Sequence, residues 1–318
     1  MSTSTSRPRR AVKFGIAVPQ IGASWNEVLE FAEAADRLGF DSLWAVDHFF
    51  GVPDPTVPIF EGWTEIAAIA GVTRSIRLGH LVLCVGYRQP SLVAKMAATL
   101  DHVSSGRFVL GLGAGWYDAE FKAYGFTFPP IGTRLRQLDE TAAIIRRLWT
   151  EEPVSYFGEQ FHVEDAYCRP RPVQQPYPPI LIGGSGERVL LKLVAEHADV
   201  WNNLGLAHRD LPRKLEKLRQ HCDSLKRDFD AIEISQQTLG AIGSSESEAR
   251  AASERVRAEL PFLAGGEDLI IAGTPGECIE RVRRTVEMGA TTLIMSFGRR
   301  PRLEALELFA REVIPAFR

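Results

Sequence analysis

At 318 residues the chain can bury about three quarters of the surface its unfolded form exposes, so a large core is available without disulfide or metal staples. A content of 45% hydrophobic, 24% charged and 9% aromatic residues excludes a disordered or fibrous protein. The 37 basic and 40 acidic residues leave a net charge of -3 with no basic stripe, which argues against nucleic acid, and no apolar run nears the ~20 residues of a membrane helix.

The opening residues 1–10 are rich in Ser, Thr and Arg but lack the apolar stretch of a signal peptide, so residues 1–11 read as a disordered arm ahead of one domain over 12–318. The four cysteines, Cys84, Cys168, Cys222 and Cys278, form no CxxC pair, which fits a reducing cytoplasm.

From Val12 onward one pattern repeats: a β-rich run, a polar or Gly-rich loop, then a stretch of helical periodicity. Residues 12–18 read as the first strand. The helix after it opens on a capping box, Ser24 with Glu27, places Trp25, Val28, Leu29, Ala32 and Ala35 on one face, and closes at Gly39. Further strands read as 41–46, 76–84, 107–113, 179–182, 199–203, 231–240 and 291–297, making eight. The best-marked later helices are 133–149, 187–197, one opening on a second capping box at Thr274 and Glu277, and a last one over 303–313.

Length alone would also allow two domains, but eight βα units with no linker predict an α/β fold, a single (β/α)8 TIM barrel. The intervals 113–179 and 240–291 exceed a minimal unit, so insertions are expected after strands 4 and 7.

In such a barrel the reacting groups lie at the carboxyl ends of strands and in the loops that follow. The first strand ends in Val18, Pro19 and Gln20, without the histidine pair of a metal-dependent hydrolase. The fourth ends in Gly111, Leu112 and Gly113, without the carboxylates of a glycosidase, and no strand ends in a Schiff-base lysine. No metal set is expected. Asp47 and His48, residues 81–87, residues 111–116, and Gly183, Gly184, Ser185 and Gly186 remain, all on neighbouring loops.

The Gly-rich turn lets amide N–H groups approach an anion at a helix start, with phosphate the natural guess; a plain tight turn explains it equally well. His48 carries an imidazole, a side chain suited to giving or taking a proton, while the bland alternative has Asp47 capping a turn and His48 satisfied by backbone. Trp44, Trp63 and Trp116 flank the same rim and offer walls for a flat heterocycle or substrate, or simply pack. Cys84 reads as a small buried residue at a strand end.

Taken together, the run DSLWAVDH ending at His48, the third unit IRLGHLVLCVGYRQPSLVAKMAATLDHVSSGRFVLGLGAGWYDAEFKAYG, and ILIGGSG followed by EHADVWN resemble the luciferase-like monooxygenase superfamily, in its branch using the deazaflavin coenzyme F420. The resemblance implies a barrel that is usually dimeric, with the cofactor phosphate in the strand-five loop at Gly183 to Gly186. It implies that Asp47 contacts the ring system, that His48 donates a proton, and that a bulge with a non-prolyl cis peptide at Leu81 and Val82 backs the ring with Cys84 beside it. The implied activity is hydride transfer between coenzyme F420 and a small organic substrate, with a separate reductase supplying reduced cofactor as a further expectation.

Two departures bear on the details. Trp116 stands where sugar-phosphate dehydrogenases of the branch carry a catalytic glutamate, and Ala114 stands where flavin relatives place an arginine for the flavin phosphate. An FMN-dependent two-component monooxygenase is the alternative, and a non-catalytic flavin-binding protein the third.

Overall fold

The computed structural model describes residues 11–260 and 270–318. The expected arm therefore lies almost entirely outside the described residues, as does part of the second insertion.

The first βα unit forms as its sequence dictates. Strand β1 (Lys13–Ala17) leads into helix α1 (Trp25–Arg37), whose Ser24 side chain accepts from the Glu27 amide while Glu27 reaches back to the Ser24 amide. Its Val28, Phe31, Ala32 and Ala35 are buried. The pattern continues through β2 (Ser42–Ala45), α2 (Gly62–Val72), β3 (Arg77–His80), the two-residue β4 (Leu83–Cys84), α3 (Pro90–Val103) and β5 (Phe108–Gly113).

The first long interval then holds α4 (Asp118–Ala123), α5 (Ile131–Thr150) and an antiparallel hairpin of β6 (Val154–Phe157) with β7 (His162–Ala166). Next come β8 (Ile180–Gly183), α6 (Leu190–His197), β9 (Val200–Asn203), α7 (Leu211–Leu225) and β10 (Glu233–Ile242). The second interval holds α8 (Glu246–Glu259), β11 (Ile271–Gly273), which extends β10, and α9 (Pro275–Glu287); β12 (Thr292–Ser296) and α10 (Leu303–Glu312) end the chain.

Strands β1, β2, β3, β5, β8, β9, β10 and β12 pair in parallel in that order, and β12 returns to β1 with Lys13 opposite Thr292, so the barrel is closed. Closure leaves no strand edge of the barrel unpaired. The main core lies between strands and helices; inside the barrel Trp44, Val109, Leu181 and Ile294 form a separate plug. Gly15 and Gly79 make room for it, because a Cβ on Gly79 would sit 2.6 Å from the Trp44 ring and one on Gly15 2.9 Å from its Nε1. The plug supports whatever enters from the carboxyl end of the strands.

Two expected elements differ. The run 76–84 is not one strand but β3 and β4 separated by a break at Leu81 and Val82. Helix α6 starts at Leu190, not 187, because residues 187–189 form a turn. No helix among the described residues is long and apolar enough to cross a membrane.

Glu65, buried on α2, has only the Gln20 side chain to offset its desolvation, and burial pushes its pKa up to about 8. Between an ordinary value of 4.5 and about 8 the folded chain holds a proton that the unfolded chain has lost, so this group makes stability fall as pH rises through that window. Melting curves of Glu65→Gln should therefore gain on the wild type steadily from pH 5 to pH 8 and then level off. A constant difference across that range would show that Glu65 ionises normally.

Candidate active site

Between β3 and β4 the chain leaves the barrel wall. The Leu81 amide still donates to the Ala45 carbonyl at 2.7 Å, the Leu81–Val82 peptide is cis, and pairing resumes with the Val85 amide on the Gly113 carbonyl at 3.1 Å. Three glycines in the adjoining strands vacate the space this needs. A Cβ on Gly183 would lie 2.9 Å from Val82 Cγ1, one on Gly113 would collide with Val82 Cγ2, and one on Gly111 with the His80 carbonyl.

Asp47 pins the bulge. Its Oδ2 accepts from the Cys84 amide at 2.8 Å and from Arg88 Nη1 at 2.8 Å, and its Oδ1 from Arg88 Nη2 at 3.0 Å. Arg88 reaches on to Glu61 Oε1 at 2.6 Å. Burial raises the Asp47 carboxyl above its ordinary value, and the guanidinium pulls it back. A bidentate arginine and a backbone amide are the partners a carboxylate needs inside a barrel.

His48, the next residue, is held from the other side. Its Nδ1 lies 2.7 Å from Oε2 of Glu120, a fully buried carboxylate on α4. Glu120 also accepts from the Phe49 amide at 2.8 Å and from the Tyr87 hydroxyl at 3.1 Å. Burial alone would raise the Glu120 carboxyl, but the hydrogen bonds from His48, Phe49 and Tyr87 hold it below the usual carboxylate value. An ionised Glu120 can only accept, so Nδ1 carries the ring hydrogen and Nε2 is the nitrogen left to meet a ligand.

A cavity of about 1090 Å³ opens in front of these groups. Trp44, Leu81, Val82 and Cys84 line it on the barrel side, with His48 and Glu120 on the wall, and Trp116 at the mouth. Gly183, Gly184, Ser185 and Gly186 form another wall. The Gly184 amide is spent on the Asn202 carbonyl at 3.1 Å, whereas those of Ser185 and Gly186 have no protein acceptor among the described residues. The Ser185 hydroxyl is buried without a partner among the described residues. Unmet donors on a turn whose Gly184 takes φ +142° suit an anionic group of a cofactor.

The structure brings together most of the residues singled out by sequence. Asp47, His48, Leu81, Val82, Cys84, Trp44, Trp116 and the four-residue turn all line the cavity. Trp63 does not: it stacks on the buried His80 at 5.0 Å and meets Phe108 edge-on, because helix α2 turns it toward the outer core. Trp116 is 60% exposed, edge-on to His48 and stacked on Tyr117. Sequence reasoning missed Arg88 and Glu120. Both lie inside the third-unit run, and an acid set among aromatic residues in WYDAEF was the available signal for Glu120.

Cys84 is 7% exposed and burial pushes its thiol up to about 12. It should stay a protonated thiol through the neutral range and resist iodoacetamide at pH 8 in the native protein, becoming alkylated once the chain is unfolded in guanidinium. Rapid modification of native Cys84, read by peptide mass, would show a reactive thiolate instead.

A family model described as luciferase-like monooxygenase matches residues 12–292. The chain is 26% identical over 323 aligned positions, covering 92% of this chain and 95% of the relative, to an F420-dependent glucose-6-phosphate dehydrogenase of Amycolatopsis mediterranei. Among solved structures it is similar in fold to an F420-dependent secondary alcohol dehydrogenase in complex with an F420-acetone adduct, with a TM-score of 0.82, 20% identity, and coverage of 97% of this chain and 99% of that one. A monooxygenase from Streptomyces bottropensis overlays with a TM-score of 0.80 at 24% identity, covering 96% of this chain and 100% of that one.

Proposed function

The chain belongs to the luciferase-like monooxygenase family, and on that premise we propose that it is a coenzyme F420-dependent oxidoreductase moving a hydride between the deazaflavin and a small organic substrate. The observation that carries this reading is the His48–Glu120 pair on the cavity wall beside the bulge. When bound, the deazaflavin supplies a two-electron hydride carrier.

The chain's own residues do the rest. Ser185 and the amides of the glycine turn would hold the cofactor's anionic group, Leu81 and Val82 would back its ring, and the barrel plug would keep water from that side. His48 Nε2 exchanges a proton with the substrate oxygen, and Glu120 keeps the ring in the tautomer that lets Nε2 do so. An imidazole serves both directions, the imidazolium giving its Nε2 proton when a carbonyl is reduced and the neutral ring taking one at Nε2 when an alcohol is oxidised. The likeness to an F420-dependent dehydrogenase supports F420, and so does Ala114 on the cavity wall where the resemblance places an arginine in FMN enzymes. A homodimer served by a separate reductase completes the proposal.

The test is kinetic. His48→Ala should keep its affinity for F420 yet lose roughly 10² to 10⁴ in turnover, followed by deazaflavin absorbance across a panel of alcohols, ketones and enones. Glu120→Gln should lower kcat by less while leaving KM near the wild-type value. Wild-type turnover in His48→Ala would remove the proton-transfer role.

A further inference from the structure

The cavity wall carries two arginines among the described residues, in different settings. Arg188 is exposed and adjoins the glycine turn. Arg299 is half-buried in the loop after β12, on the side lined by Gln20, Ile21, Val52 and Leu260. Neither the hydride carrier's anion site nor the proton-transfer pair makes use of it.

The bonding of Arg299 is incomplete. Its backbone amide donates to Glu259 Oε2 at 2.7 Å, and its Nη2 donates to the Val52 carbonyl at 3.2 Å. Its Nε is buried and has no acceptor among the described residues. Glu259 takes the backbone amide rather than the guanidinium and lies under Gly298, where φ is +100° and a Cβ would strike the Glu259 carboxylate. Glu259 is thus spent on the backbone, and Arg299 makes no ion pair among the described residues, although Asp54 lies close enough to feel its charge. A buried N–H without an acceptor is costly, and the planar guanidinium fork matches carboxylate and phosphate oxygens.

Around that donor the cavity is apolar. Val52, Leu260 and Ile21 lie near it in the wall, and the mouth is rimmed by Trp116, Leu206 and Val189, which stay exposed. Such a rim has little to offer a row of hydroxyl groups and much to offer an apolar body.

We infer that Arg299 is the substrate-anchoring residue and that the substrate is an oxyanion, a carboxylate or phosphate monoester, on an apolar body. The inference rests on the reading of this cavity as the active site, and it sets the chain apart from a dehydrogenase acting on a sugar phosphate. Arg299 holds the charged end while the oxygen on the reacting carbon is presented to His48.

Binding of stand-in ligands tests this without cofactor, so a failure to bind F420 would count against the proposed function and leave the result intact. Benzoate, hexanoate and phenyl phosphate are compared by calorimetry with benzamide, hexanamide and phenol, with glucose 6-phosphate as the polyol control. The wild type should hold at least one anion about tenfold tighter than its neutral counterpart, and phenyl phosphate tighter than glucose 6-phosphate. Arg299→Met should lose the preference, and Arg299→Lys should keep part of it. Should no anion be favoured over its neutral counterpart in the wild type, or the preference persist in folded Arg299→Met, or glucose 6-phosphate be held best, the assignment is overturned.

Discussion

The clamp of Asp47 on Arg88 and on the Cys84 amide is the contact on which the rest of the site depends. It ties the loop after β2 to the far end of the break between β3 and β4. Without it, Leu81 and Val82 would have no fixed position in the barrel mouth, and the space cleared by Gly111, Gly113 and Gly183 would be a void. Removing one partner of such a buried pair leaves an uncompensated charge, which costs several kcal/mol. The same clamp fixes His48, because the residue after a doubly held aspartate has little freedom left in its backbone.

His48 is then oriented by a group from another part of the chain. Glu120 lies on α4, within the insertion after the fourth strand, and satisfies its charge with the imidazole, a backbone amide and the Tyr87 hydroxyl. The insertion thus supplies a wall of the active site as well as bulk. A buried carboxylate with three donors is a stable way to hold an imidazole tautomer, and it leaves Nε2 free of the protein.

The sequence made the barrel legible because its signals are local. The Ser24 and Glu27 capping box is four residues long, and each strand announces itself by its own composition. The break inside 76–84 was invisible in the residues themselves, since Leu81, Val82 and Leu83 suit a strand and only packing against glycines of other strands interrupts it. Trp63 was misplaced for a related reason: it lies between the second and third strands in sequence, but the face of α2 it occupies is decided by His80 and Phe108. Glu120 went unread because its partner His48 is 72 residues away. Pairings at that range are set by tertiary structure, which no short window contains.

The glycine turn with its buried Ser185 hydroxyl, the bulge and the oriented imidazole face one cavity, and the proposed function reads it as the site of a deazaflavin and a substrate. Its cofactor is the most exposed part of the account. Titrating the purified protein with coenzyme F420 and with FMN side by side, by fluorescence, tests it most directly. The account predicts saturable binding of F420 at least about tenfold tighter than of FMN, a margin of roughly 1.4 kcal/mol. Tighter binding of FMN would contradict it.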